Sequence, residues 1–157
     1  MTSQNIAFMS MVLENKLDES SKFFALKQCE NLDDSAVSSL SAIKLKSPVT
    51  GLVLHCFLGL FGAGRFYKGN GVDIMVGLLY LGFFVFLCVL SAQGVITNDE
   101  CGGAISLEIF VAWVDCYFIF KGIQKDNWQK LQNFFFLSIL QTRINDERFN
   151  TFKRVER

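Results

Sequence analysis

The chain has 157 residues, enough for one domain of ordinary size, and its 15 basic and 15 acidic residues cancel to a formal charge of zero. Half of it is apolar, with 17 Phe against one Pro, and its mean hydropathy of +0.33 is unusual for a soluble domain. Its basic tail is short and interspersed with acids, which argues against nucleic-acid binding, and it contains no nucleophile–base set or phosphate loop, so the expectation is not an enzyme.

The charges are unevenly placed. From Gly69 to Phe120 there is no Lys or Arg. The cysteines (Cys29, Cys56, Cys88, Cys101, Cys116) form no CxxC or other metal-ligand spacing, and Cys inside apolar runs packs as a small hydrophobe. Neither a metal nor a cofactor is expected. No basic stretch followed by an apolar core opens the chain, so insertion is expected through an internal segment.

Residues 1–46 read as a small helical region on the cytoplasmic side. Ile6, Met9, Leu13 and Leu17 recur at helical spacing. Asp18 is positioned to cap a second helix carrying Phe23, Phe24 and Leu26. Asp33 or Asp34 caps a third, with Val37, Leu40 and Ile43 on one face.

Ser47-Pro48 signals the next helix, with Ser as N-cap and Pro in the first turn. This first apolar segment runs from Val49 to about Tyr67 and holds His55. Its strictly apolar part covers only about 24 Å at ~1.5 Å per residue, against the roughly 30 Å of a bilayer core. It either crosses marginally or enters and stops. The second segment, Ile74 to Ala92, is free of charge and close to the ~20 residues of a spanning helix. The third, Ala104 to Phe120, contains Glu108 and Asp115 and is closed by Lys121. Asp126 to Leu140 resembles a helix lying in the headgroup plane, with Trp128, Leu131, Phe135 and Ile139 on one side. The remainder, 143–157, reads as a solvated, partly disordered tail.

The positive-inside rule places the loop around Asp99 and Glu100 outside, and Arg65, Lys68, Lys121, Lys125 and Lys130 inside. Lys44 and Lys46 favour the inside as well. Both ends of segment one then share a side, which fits a re-entrant helix; the alternative is three full spans.

Gly59, Gly62, Arg65, Phe66, Tyr67 and Gly69 stand in the order GxxGxxRFYxG, and Asp115-Cys116-Tyr117-Phe118-Ile119 follows near the end of the third segment. Over roughly residues 44–131 these features resemble the TM-two domain, a two-transmembrane family, in its longer bacterial members. Two features differ. Gly64 stands where many members carry Asp or His, and the stretch from Gly69 to Asp115 is longer, reading as two helices around a 93–103 loop. The resemblance implies a membrane module of a bacterial inner membrane without an established reaction.

The expected fold class is an all-α integral membrane protein. A helical N-terminal region (1–46) precedes a transmembrane domain (47–122) with a bundle of two to three transmembrane helices, then an interfacial helix and polar tail (123–157). Gly59 and Ala63 give a small-xxx-small face for helix contact or self-association. Arg65 and Asp115 form the expected ion pair. The expected function is a structural, regulatory or partner-binding module in the lipid bilayer, alone or with a membrane-protein partner. The alternative is a component of an ion or proton channel or transporter using Glu108, Asp115 and His55, since Glu108 and Asp115 are about two turns apart on one helix face.

Overall fold

The structure, a computed structural model, describes residues 3–30, 32 and 34–155. Asp33 and the side chains of Asp34 and Val37, expected in the cap and face of the third helix, lie outside the described residues. Among the described residues the chain is all helical, with seven α-helices: α1 (Ser3–Leu13), α2 (Glu19–Glu30), α3 (Asp34–Ser41), α4 (Pro48–Leu58), α5 (Ala63–Lys68), α6 (Gly71–Ala92) and α7 (Asn98–Val155). A single 3₁₀ turn, Gly59–Phe61, joins α4 to α5. The helices sort into two compact units, one of residues 1–45 with 126–157, the other of residues 46–125.

The first unit has a closed apolar core. Met9 and Leu13 of α1, Ala25 and Cys29 of α2, Leu40 of α3, and Leu131 and Phe135 of α7 meet in it, with Leu17 from the connection. On α2 the buried positions are Ala25 and Cys29, four apart, while Phe23 and Phe24 are exposed. The small residues admit close helix approach, and the expected aromatic contacts of α2 point outward instead. Burial pushes the Cys29 thiol up to about 11, so it stays protonated filler. Asp18 caps α2 as its position suggested, accepting from the Ser20 hydroxyl and from the Ser21 N–H at 3.3 Å. Those bonds hold its carboxyl down at about 2.

The segment expected in the headgroup plane takes another role. Residues 126–140 continue α7 without interruption. Leu131 and Phe135 are buried in the core of this unit, with Trp128 packed against it. Asn127 donates its side-chain N–H to the Lys16 carbonyl at 2.9 Å. Protein covers Trp128, Leu131 and Phe135 of the expected stripe, while Ile139 stays exposed. The tail is likewise helical through Val155, because no Gly or Pro follows Gly122 to stop it.

In the second unit the boundaries follow local chemistry. Ser47 Oγ accepts the Thr50 N–H at 3.3 Å, and Pro48 occupies the first turn of α4. Gly62, at φ +67°, stops the 3₁₀ turn and reverses the chain into α5; Gly69, at φ +74°, ends α5 and returns its N–H to the Arg65 carbonyl. Thr97 and Glu100 form a reciprocal capping box at the start of α7, the Thr97 N–H donating to Glu100 Oε2 at 2.8 Å and the Glu100 N–H to Thr97 Oγ1 at 3.3 Å.

Two of the helices, α6 and α7, are long and apolar enough to cross a bilayer. The α4 helix with its 3₁₀ turn, residues 48–61, reaches only about 21 Å at ~1.5 Å per residue, short of the roughly 30 Å needed. The α6 helix exposes Val72, Met75, Leu78, Phe83 and Phe86, and buries Asp73, Gly77 and Leu87. Only 11 % of its most apolar stretch is buried.

Candidate functional site

The glycines of the motif bring the backbones of the second unit into contact. A Cβ on Gly62 would lie 2.5 Å from the Gly77 Cα and carbonyl oxygen of α6. One on Gly64 would meet the His55 Cβ at 2.5 Å, and one on Gly59 the Ala112 Cβ of α7 at 2.9 Å. No larger residue fits these crossings without displacing a neighbour. Phe66 lies over Gly77, whose added Cβ would sit 2.9 Å from its ring. Small residues in the 3₁₀ turn, at Gly62, and on α5 and α6 thus allow the polar side chains above them to meet.

Arg65 is at the centre of the cluster. Its Nε donates to Asp115 Oδ2 at 2.8 Å, and its Nη2 donates to Asp115 Oδ1. This is the two-pronged guanidinium–carboxylate match that lysine cannot reproduce. Its Nη1 reaches Asp73 Oδ1 at 2.6 Å. Lys68 Nζ holds the other Asp73 oxygen at 2.8 Å. Two cations and two carboxylates are therefore arranged alternately, Lys68–Asp73–Arg65–Asp115, with no excess charge. The aliphatic stem and ammonium of Lys68 cover Gly122, where a Cβ would lie 2.7 Å from Lys68 Cε.

His55 is fully buried beneath this chain, its Nε2 3.4 Å from Asp115 Oδ2 and its ring edge-on to Tyr80. On the other side Lys46 Nζ donates to the Tyr67 and Lys68 carbonyls, both at 2.8 Å, satisfying the end of α5. The Tyr67 hydroxyl accepts the Ser47 N–H at 3.0 Å, tying the start of α4 to the same point.

The expected motif residues Gly59, Gly62, Arg65, Phe66, Tyr67, Gly69 and Asp115 thus assemble in one place, with His55 adjacent. Glu108 does not join them; it lies seven residues earlier on α7, about 10 Å along the axis at ~1.5 Å per residue. The expected Arg65–Asp115 pair is present, and Asp73 and Lys68, which the sequence does not single out, join it. Asp73 looks like a flanking acid just before an apolar run, but it is the first-turn acid of α6, buried to 3 % exposure. Its place eight residues after Arg65, across the glycine turn, was the available signal.

The arrangement can hold helices in register; it offers no open ligand position. All four charged groups are already engaged, and among the described residues no group of three or more His, Cys, Asp or Glu is placed to hold a metal ion. Comparison with protein-family profiles, curated proteins and solved structures finds no match to this chain.

Proposed function

We propose that the chain is a non-enzymatic integral membrane protein of the two-transmembrane kind, placed in a bacterial inner membrane. On this reading α6 and the first half of α7 cross as a hairpin. Residues 48–68 form a short re-entrant pair on the cytoplasmic side, and the first unit lies in the cytoplasm. The observation that carries the reading is the inversion of burial in residues 46–125. Asp73, Asp115, His55 and Glu108 are inside, while Leu78, Phe83, Phe86, Phe110 and Phe118 are outside. That is the pattern of a surface solvated by hydrocarbon, where polar groups must find partners within the protein.

The charge cluster serves as the staple of that membrane domain. A structural or partner-binding role for the protein is supported by the exposed Phe8, Met11, Phe23 and Phe24 on the first unit, which offer an apolar surface to a partner. Sodium carbonate extraction tests the placement: the full chain stays in the membrane pellet, whereas release to the supernatant contradicts it.

A second reading, ion or proton passage using Glu108, Asp115 and His55, draws on the burial of Glu108 without a partner. Against it, Asp115 is held by two bonds from Arg65. The readings separate in proteoliposomes. The staple reading expects no proton flux from the wild type, loss of folded protein in Asp115→Asn, and a folded Glu108→Gln. Wild-type flux abolished in a folded Glu108→Gln establishes the second.

A further inference from the structure

Glu108 is 5 % exposed, and neither of its carboxylate oxygens has a hydrogen-bond partner. A buried carboxyl gives up its water, and nothing in the protein replaces it. The side chain lines a cleft of about 440 Å³ between α6 and α7, walled by Leu79, Tyr80, Phe83, Leu107 and Val111. Its volume lies within the ~300–1,000 Å³ of small-molecule sites, which are likewise mostly apolar with few polar groups. Tyr80 is the one other polar residue lining the cleft, and its hydroxyl does not bond to Glu108.

The geometry points to a binding site for a small lipophilic amine, its apolar body lying between α6 and α7 and its ammonium head paired with Glu108. The charge selects the class. An unpartnered, buried carboxylate in the wall of an apolar cleft is complemented by one cation on an apolar body. A second copy of the chain cannot supply that cation from its own spans, because no Lys or Arg occurs from Gly69 to Phe120. Glu108 lies about 15 Å along α7 from its start at ~1.5 Å per residue, deep enough that the ligand enters sideways from hydrocarbon. In that respect the inference rests on the membrane reading.

The test uses two photoreactive probes with the same diazirine-bearing alkyl chain, one ending in an amine and one in an alcohol. The purified chain in neutral detergent micelles is labelled with each, and the modified peptides are mapped by mass spectrometry. The amine is expected to label the stretches 76–83 and 104–111 about tenfold more than the alcohol, the discrimination one charge-assisted bond supplies. Glu108→Gln, isosteric and neutral, lowers the amine to the level of the alcohol. Ala104→Phe fills the cleft and lowers both while leaving Glu108 in place. Equal labelling by amine and alcohol in the wild type overturns the inference, as does an amine preference that survives Glu108→Gln. The micelle experiment does not depend on insertion in cells, so a failure in carbonate extraction bears on the membrane reading and a failure here bears on the cleft.

Discussion

The two compact units are both helical but differ in what they bury. In the unit of residues 1–45 and 126–157, Met9, Leu13, Cys29, Leu131 and Phe135 are inside. In residues 46–125 the inside holds Asp73, Asp115, His55 and the crossing glycines beside Leu87, Ile119 and Ile123, and most large apolar side chains face out. The first unit gains from removing hydrocarbon from water. The second has no such gain to make if its surroundings are lipid, and is held by close packing and polar pairing instead. Residues of one type should therefore matter in one unit and not in the other.

The largest effect is expected at the staple. Arg65→Met leaves Asp115 buried without its guanidinium and Asp73 with Lys68 alone, a loss of about 3–5 kcal/mol. Thermal unfolding of the detergent-purified protein should fall sharply, or the folded protein should fail to accumulate. A variant with unchanged unfolding would mean that the cluster is incidental. Next comes Leu13→Ala in the first unit, expected to cost about 3 kcal/mol by opening a cavity. Leu78→Ala on α6, a residue 55 % exposed, should stay within about 0.5 kcal/mol of wild type. Equal costs at the two leucines would erase the contrast between the units.

Gly62→Ala is expected to cost about 2 kcal/mol, from the left-handed backbone alone and from collision with Gly77. Gly82→Ala, with nothing within 4 Å of the added methyl, should instead gain up to about 1 kcal/mol from helix propensity. The opposite signs separate packing glycines from idle ones. A small, pH-dependent effect is expected at Asp18. Its carboxyl sits at about 2 against an ordinary 3.8, so its stabilising bonds are intact above pH 3.8 and are lost as the pH falls towards 2. Asp18→Ala should cost about 1 kcal/mol at neutral pH and should flatten the acid limb of the stability curve in that interval.

Much of this was legible where local chemistry decides. Ser47-Pro48 and Asp18 announced helix starts that are present, and the uncharged run 74–92 lies within α6. Arg65 and Asp115 were paired from their motif positions and depths. What was not legible depended on three-dimensional choice. An amphipathic stripe says that something covers it, not what, and so Trp128, Leu131 and Phe135 were assigned to headgroups when α1, α2 and α3 cover them. The Thr97–Glu100 capping box is the exception, since its spacing in the sequence is enough to mark the start of α7. Asp73 and Lys68 required knowing that the Gly62 and Gly69 turns fold α5 back beside α6.

The most direct test of the account is thiol accessibility in intact cells, with single reporters Glu19→Cys, Asn70→Cys and Asn98→Cys in a background lacking the five native cysteines. A membrane-impermeant reagent added outside should label only position 98, with positions 19 and 70 reacting after permeabilisation. That pattern is two crossings, with both ends of the 48–68 segment on the inner side. Labelling of positions 19 and 98 together from outside would mean that the short segment crosses, and labelling of all three would contradict the hairpin itself.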